Sequence, residues 1–152
     1  MRTFILFAMV MTAALSISCS YTAAVKSDIV DYKIFDAPLD KVWTATVGAI
    51  TDSDYNSIEN IEKDSGLITT GYVSFRGIGD QIANKPKISL GTWSQGRYRL
   101  NILIVEYGEN KAKVTVKSII EGFEDNVTGS WHLCHSKGVL EENIFNEIGE
   151  RL

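Results

Sequence analysis

The chain has 152 residues, with 15 basic and 19 acidic side chains, a formal net charge of −4 and two cysteines. That acidic balance argues against nucleic acid as a partner, because such binding rests on neutralising phosphates with Lys and Arg. Aromatic and β-branched residues run through the length of the chain, which excludes a disordered polymer and suits one domain with its own core.

Arg2 gives a short positive start, Phe4 to Leu15 is an almost unbroken apolar run, and Ser16, Ile17 and Ser18 lead to Cys19. This is the layout of an export signal. The run is too short to span a bilayer, which takes roughly twenty apolar residues. A cysteine at its end resembles a lipoprotein signal, which is cut just before the Cys so that this residue becomes diacylated and then N-acylated. Lipoboxes place Leu one position closer to the Cys than Leu15 stands here, where Ser16 takes that place. The alternative is an ordinary secretory signal cut after a small residue such as Ala24. On the lipoprotein reading, 1–18 is the signal peptide, 19–27 is the lipidated Cys19 with a short tether, and 28–152 is a single domain. Each buried CH₂ adds about 0.8 kcal/mol, so an acylated Cys19 anchors durably. Ser20 in the second mature position resembles outer-membrane cargo, since Asp there marks inner-membrane retention; the expected location is the outer membrane, facing the periplasm. Cys134 would then be the remaining thiol and no internal disulfide could form.

Val30, Tyr32 and Ile34 alternate with Asp31 and Lys33, the period of a strand with one wet face. Pro38 suits the first turn of a helix capped by Asp36 or Ala37, with Leu39, Val42, Trp43, Thr46, Val47 and Ile50 on one face and an end near Asp52 to Asp54. Ser57 to Lys63 and Leu67 to Val73 form a hairpin about Asp64, Ser65 and Gly66, and a parity slip between Ile58 and Ile61 suggests a bulge. Ser74 to Gln95 is long for a connection and apolar for a linker. It is either a lid over the sheet edge or an irregular strand pair completing the sheet. Tyr98, Leu100, Ile102 and Ile104, then Ala112, Val114, Val116, Ser118 and Ile120, alternate about Gly108, Glu109 and Asn110, the clearest hairpin in the chain. Ser130 to Cys134 is a short strand. A closing helix after Ser136 has Leu140, Ile144, Ile148 and Leu152 on a stripe with Phe145 beside it, leaving Glu141, Glu142, Asn146 and Glu150 in water.

The fold class expected is α+β, an antiparallel sheet with two helices packed on one face, because one-sided strands and one-sided helices must cover each other. Three stretches carry a resemblance: D-A-P-L-D-K-V-W from Asp36 to Trp43, D-S-G-L-I-T-T from Asp64 to Thr70, and W-H-L-C-H-S-K-G-V-L-E from Trp131 to Glu141. They are similar to small bacterial lipoproteins with a helix-grip domain, which look related to the lipoprotein subunit of the outer-membrane β-barrel assembly machinery that carries two such domains. The resemblance implies the helix-grip fold and a role in envelope assembly, and it carries over no catalytic residue.

His132, Cys134 and His135 lie close in sequence, but a metal needs three or four converging ligands, and neighbours in a strand point to opposite faces. The reading adopted is a structural Cys134 with solvent-facing imidazoles, and no metal, cofactor or catalytic residue. The run at Gly77 and Gly79 lacks the Lys of a phosphate-binding loop. Arg97, Arg99, Leu103, Val105, Lys113 and Lys117 form the far face of the main hairpin, a solvated surface or a docking surface for a protein or anionic headgroups. Phe75 and Trp93, in the long connecting span, are further candidates for that surface. The functional expectation is a lipid-tethered, non-enzymatic binding or scaffolding module with an envelope protein as partner. A carrier of a small apolar ligand or lipid, held between closing helix and sheet, is the alternative, and a hydrolase comes last.

Overall fold

The structure, a computed structural model, describes residues 20–52, 57–77 and 79–152. The Cys19 expectation lies outside these residues. Among them no helix is long and apolar enough to cross a membrane.

The element order is β1 (Tyr21–Thr22), β2 (Tyr32–Phe35), α1 (Leu39–Thr51), β3 (Ile58–Glu62), β4 (Leu67–Thr70), β5 (Val73–Arg76), β6 (Ala83–Asn84), β7 (Lys87–Ile88), β8 (Trp93–Glu106), β9 (Ala112–Glu124), β10 (Ser130–Ser136) and α2 (Val139–Gly149). The fold is therefore α+β, mostly antiparallel sheet with two helices. Its centre is the β8–β9 hairpin, paired from Glu106↔Ala112 to Trp93↔Glu124. The hairpin closes through Gly108 and Asn110, both at positive φ, where Gly and Asn are the residues that tolerate the turn.

Each long strand is flanked on its outer edge by two short ones. β4 covers Asn101–Leu103 of β8 and β5 covers Gln95–Tyr98. On the other side β2 covers Ala112–Thr115 of β9 and β10 covers Ile120–Glu124. Between the short strands both long strands have an uncovered stretch, at the rung where Leu100 pairs with Ser118.

Tyr98, Leu100, Ile102 and Ile104 of β8 and Ala112, Val114, Val116 and Ile120 of β9 are buried on one face. On that face α1 contributes Val42, Trp43, Ala45, Ala49 and Ile50, and α2 contributes Leu140, Ile144, Phe145 and Ile148. The helices touch each other, with α1 against β8 and α2 against β9. Gly66 is tied to this arrangement by its φ of +70° and by Ile104 N–H donating to its carbonyl at 2.8 Å; a Cβ there would stand 2.0 Å from the Ile104 oxygen.

Several expectations are corrected. Pro38 is itself the N-cap of α1, its carbonyl accepting Val42 N–H at 3.1 Å, and neither Asp36 nor Ala37 caps the helix; Leu39 is exposed. Tyr32 and Ile34 alternate as expected but face outward, because they pair with Thr115 and Lys113; Phe35 supplies the burial of β2. Leu152 lies beyond α2 and is exposed. Glu141 is buried, not wet. The bulge in β3 is present, between Ile58 and Asn60. The long connecting span contains β5, β6 and β7, each paired to the rest of the molecule, which fits the irregular-strand reading. The stretch expected to be a tether is docked: β1 pairs with β7, and Asn84 Nδ2 donates to Val25 O and Ser27 Oγ, both at 2.9 Å.

Candidate functional site

The face of the sheet turned away from the helices carries alternate residues of the central strands. Arg97 sits there with its guanidinium between two rings, 4.3 Å from the Tyr72 centroid and 4.2 Å from that of Trp131. Its Nε donates to Glu121 Oε2 at 2.7 Å, across the Arg97↔Glu121 rung. Stacking plus a charge-assisted bond fixes a side chain that would otherwise sample many rotamers. Phe123 meets Trp131 edge-on at 5.4 Å and extends the aromatic wall. Arg99 lies 5.2 Å from the Tyr72 ring, and its buried Nε has no hydrogen-bond partner among the described residues.

Further along the same face Lys113 stands 4.2 Å over the Tyr32 ring, with Ile34, Leu103 and Val105 exposed beside it and Lys117 in solvent. The candidates Arg97, Arg99, Leu103, Val105, Lys113 and Lys117 thus share one surface. Phe75 and Trp93 do not belong to it. Phe75 pairs with Gly96 on the inner face, and its ring comes so close that a Cβ on Gly96 would meet it at 2.3 Å. Trp93 packs against the core and stands edge-on to His132 at 5.8 Å. Tyr72, Trp131 and Tyr32 were not anticipated for this surface; the alternation of β10 with its register partners is the signal that places Trp131 outward.

The second site is the uncovered stretch of β9. Glu141, at the start of α2, enters the gap between β2 and β10 and accepts bonds from Ser118 Oγ at 2.5 Å, Ser118 N–H at 3.4 Å and Ser136 Oγ at 2.7 Å. These donors make burial of the side chain tolerable. A cleft of about 490 Å³ opens beside it, lined by charged and polar groups that include Lys26, Asp28, Asp31, Lys117 and His135.

A third carboxylate is structural. Glu124 accepts backbone N–H bonds from Thr92, Asn126, Val127 and Thr128, at 2.6 to 3.1 Å, and joins the start of β8 to the turn before β10. Burial alone would raise its pKa, but the four N–H donors outweigh it and hold the group down at about 2.

His132 and Cys134 share the inner face of β10 and His135 points the other way, as strand geometry requires. Cys134 is buried, and desolvation pushes its thiol up to about 11, against a smaller lowering by a backbone bond to Gly122. The imidazoles are not solvent-facing as expected: both are half-buried, and His132 Nε2 lies 2.7 Å from Thr128 Oγ1, with Trp93 and Tyr21 against the ring. Among the described residues no three His, Cys, Asp or Glu side chains converge as metal ligands would. No protein-family profile and no curated protein sequence matches this chain.

Proposed function

We propose that the chain is a lipid-anchored periplasmic binding module of helix-grip type, attached to the outer membrane through Cys19 and docking an envelope protein on the outer face of its sheet. The observation that carries this reading is the Arg97 guanidinium stacked between Tyr72 and Trp131 and held by Glu121. Arg and aromatic residues dominate binding energies at protein interfaces, and a side chain fixed in advance loses little freedom on docking. The surroundings are cationic on an acidic protein, and the exposed Leu103, Val105 and Ile34 add apolar area. A partner with carboxylates set among apolar groups is the complementary chemistry.

The interior favours this reading over a carrier of a small apolar ligand. Tyr98, Ile144 and Phe145, which would line such a site, are all buried in the one hydrophobic core, while Trp131 is committed to the outer face. Nucleophilic catalysis gains no support from a protonated Cys134 whose sequence neighbour His135 faces away.

Site-specific photo-crosslinkers at Leu103 and at Asn146, on the outer sheet face and the wet side of α2, test the proposal in the native membrane. The expected result is one dominant adduct from position 103, absent from position 146 and strongly reduced by Arg97→Glu. Equal adducts from both positions, or indifference to Arg97→Glu, would sink it.

A further inference from the structure

The N-terminal end of the described chain is docked on the domain. Tyr21 and Thr22 pair with Ile88 and Lys87, and Ser89 N–H donates to Ser20 O at 3.2 Å. The described chain thus begins, at Ser20, against the Ile88–Gly91 turn.

That turn has an unusual tip. Leu90 is 76% exposed and holds a φ of +64°, a region that bulky side chains avoid. The turn is braced on three sides: Gly91 N–H donates to Ile88 O at 3.0 Å, Asn126 Nδ2 donates to Leu90 O at 2.8 Å, and the neighbouring Thr92 N–H is held by Glu124. An apolar residue is thus presented to solvent on a hydrogen-bonded turn at a disfavoured φ, an arrangement that invites a functional explanation. Lys87 is exposed next to it, and Lys85 and Lys137 line the adjoining cleft with Ser20.

We propose that the Ile88–Gly91 turn is a membrane-contact tip: Leu90 enters the boundary between headgroups and acyl chains beside the lipid on Cys19, and Lys87 meets the phosphates. The inference rests on the lipid-anchor reading. It adds that the domain stands on the bilayer in one orientation, with the β1–β7 end down, instead of swinging on a loose tether. The occupant is a bilayer because Ser20, the neighbour in sequence of the proposed anchor, is bonded to Ser89 in this turn. Apolar side chains flanked by cations suit that boundary.

The test uses the full-length protein extracted from membranes, its lipid verified by intact mass, in vesicles of phosphatidylethanolamine and phosphatidylglycerol. A nitroxide is attached at Leu90→Cys or at Val105→Cys, both in a Cys134→Ser background, and its accessibility to oxygen and to a water-soluble nickel complex is compared. The expected ratio of oxygen to nickel accessibility is several-fold higher at position 90 than at position 105. Equal ratios in lipidated protein would overturn the tip while leaving the anchor intact. A mass without lipid would remove the anchor and the tip with it. Shielding of position 90 that appears only after a protein partner is added would assign the turn to that partner and overturn the proposal.

Discussion

Leu100 and Ser118 face each other across the central hairpin, and the N–H of each is received by a side-chain oxygen instead of a strand. Leu100 N–H donates to Thr70 Oγ1 at 2.9 Å, and Ser118 N–H donates to Glu141 at 3.4 Å. Both long strands lose their edge partner at the same rung, and a buried polar residue from a neighbouring element closes each gap. Unpaired buried N–H groups are rare for energetic reasons, so these two residues are structural necessities of a split sheet edge.

Glu141→Ala should therefore destabilise the domain by about 1 to 3 kcal/mol, the cost of leaving buried donors without an acceptor. Glu142→Ala, one residue along and exposed, should stay near zero. Denaturant midpoints of the two variants check the contrast, and equal midpoints would show that the gap is not closed by Glu141.

Acid should act through Glu124. Its folded pKa, about 2, lies below the ordinary 4.5, so its contribution is fully present above pH 4.5 and disappears as pH falls toward 2. Glu124→Gln should flatten the stability profile across that window and lower stability at neutral pH. A wild-type profile that is flat from pH 5 to about 2 would contradict the bonding described.

Ile144→Ala and Phe145→Ala remove buried side chains from the face of α2 that meets the sheet. Each should cost about 2 to 5 kcal/mol, a large share of the roughly 5 to 15 that a domain possesses. If a chain ending before Ser136 unfolded at the same denaturant concentration as the full domain, α2 would not be docked.

Cys134 should be nearly inert toward thiol reagents at pH 8 in the folded protein, since its pKa is raised from 9.0 to about 11 by burial. Unfolding should restore ordinary reactivity. Rapid modification of the native protein, followed by titration of released product, would argue for an open strand end.

Strict alternation made the β8–β9 hairpin and the stripe of Leu140, Ile144 and Ile148 readable from the chain alone, because period fixes which residues share a face. Period does not say which face is inside. Tyr32 and Ile34 kept their alternation and still turned outward, since pairing with Thr115 and Lys113 decides the side. Glu141 escapes the pattern for a related reason: its charge argues for water, and of the hydroxyls that satisfy it, Ser136 lies just upstream while Ser118 comes from a strand 23 residues away. The outer-face cations were legible, whereas the Tyr72 and Trp131 rings that hold Arg97 became apparent only when β10 was laid beside β9. Phe75 and Trp93 sat in a stretch of broken period, which gave no parity to read.

The long hairpin also sets an order of assembly. Its strands are joined by a tight turn and can zip from Glu106 and Ala112 outward with little loop entropy, and β10 follows by a second short connection. Phe35 has no such advantage, because its partner Ala112 lies across most of the domain sequence. Chains are made from the N-terminus, so β2 and α1 are finished long before the strands that will hold them exist. The first part of the domain to be synthesised must then wait for its partners, and its apolar faces wait longest for cover.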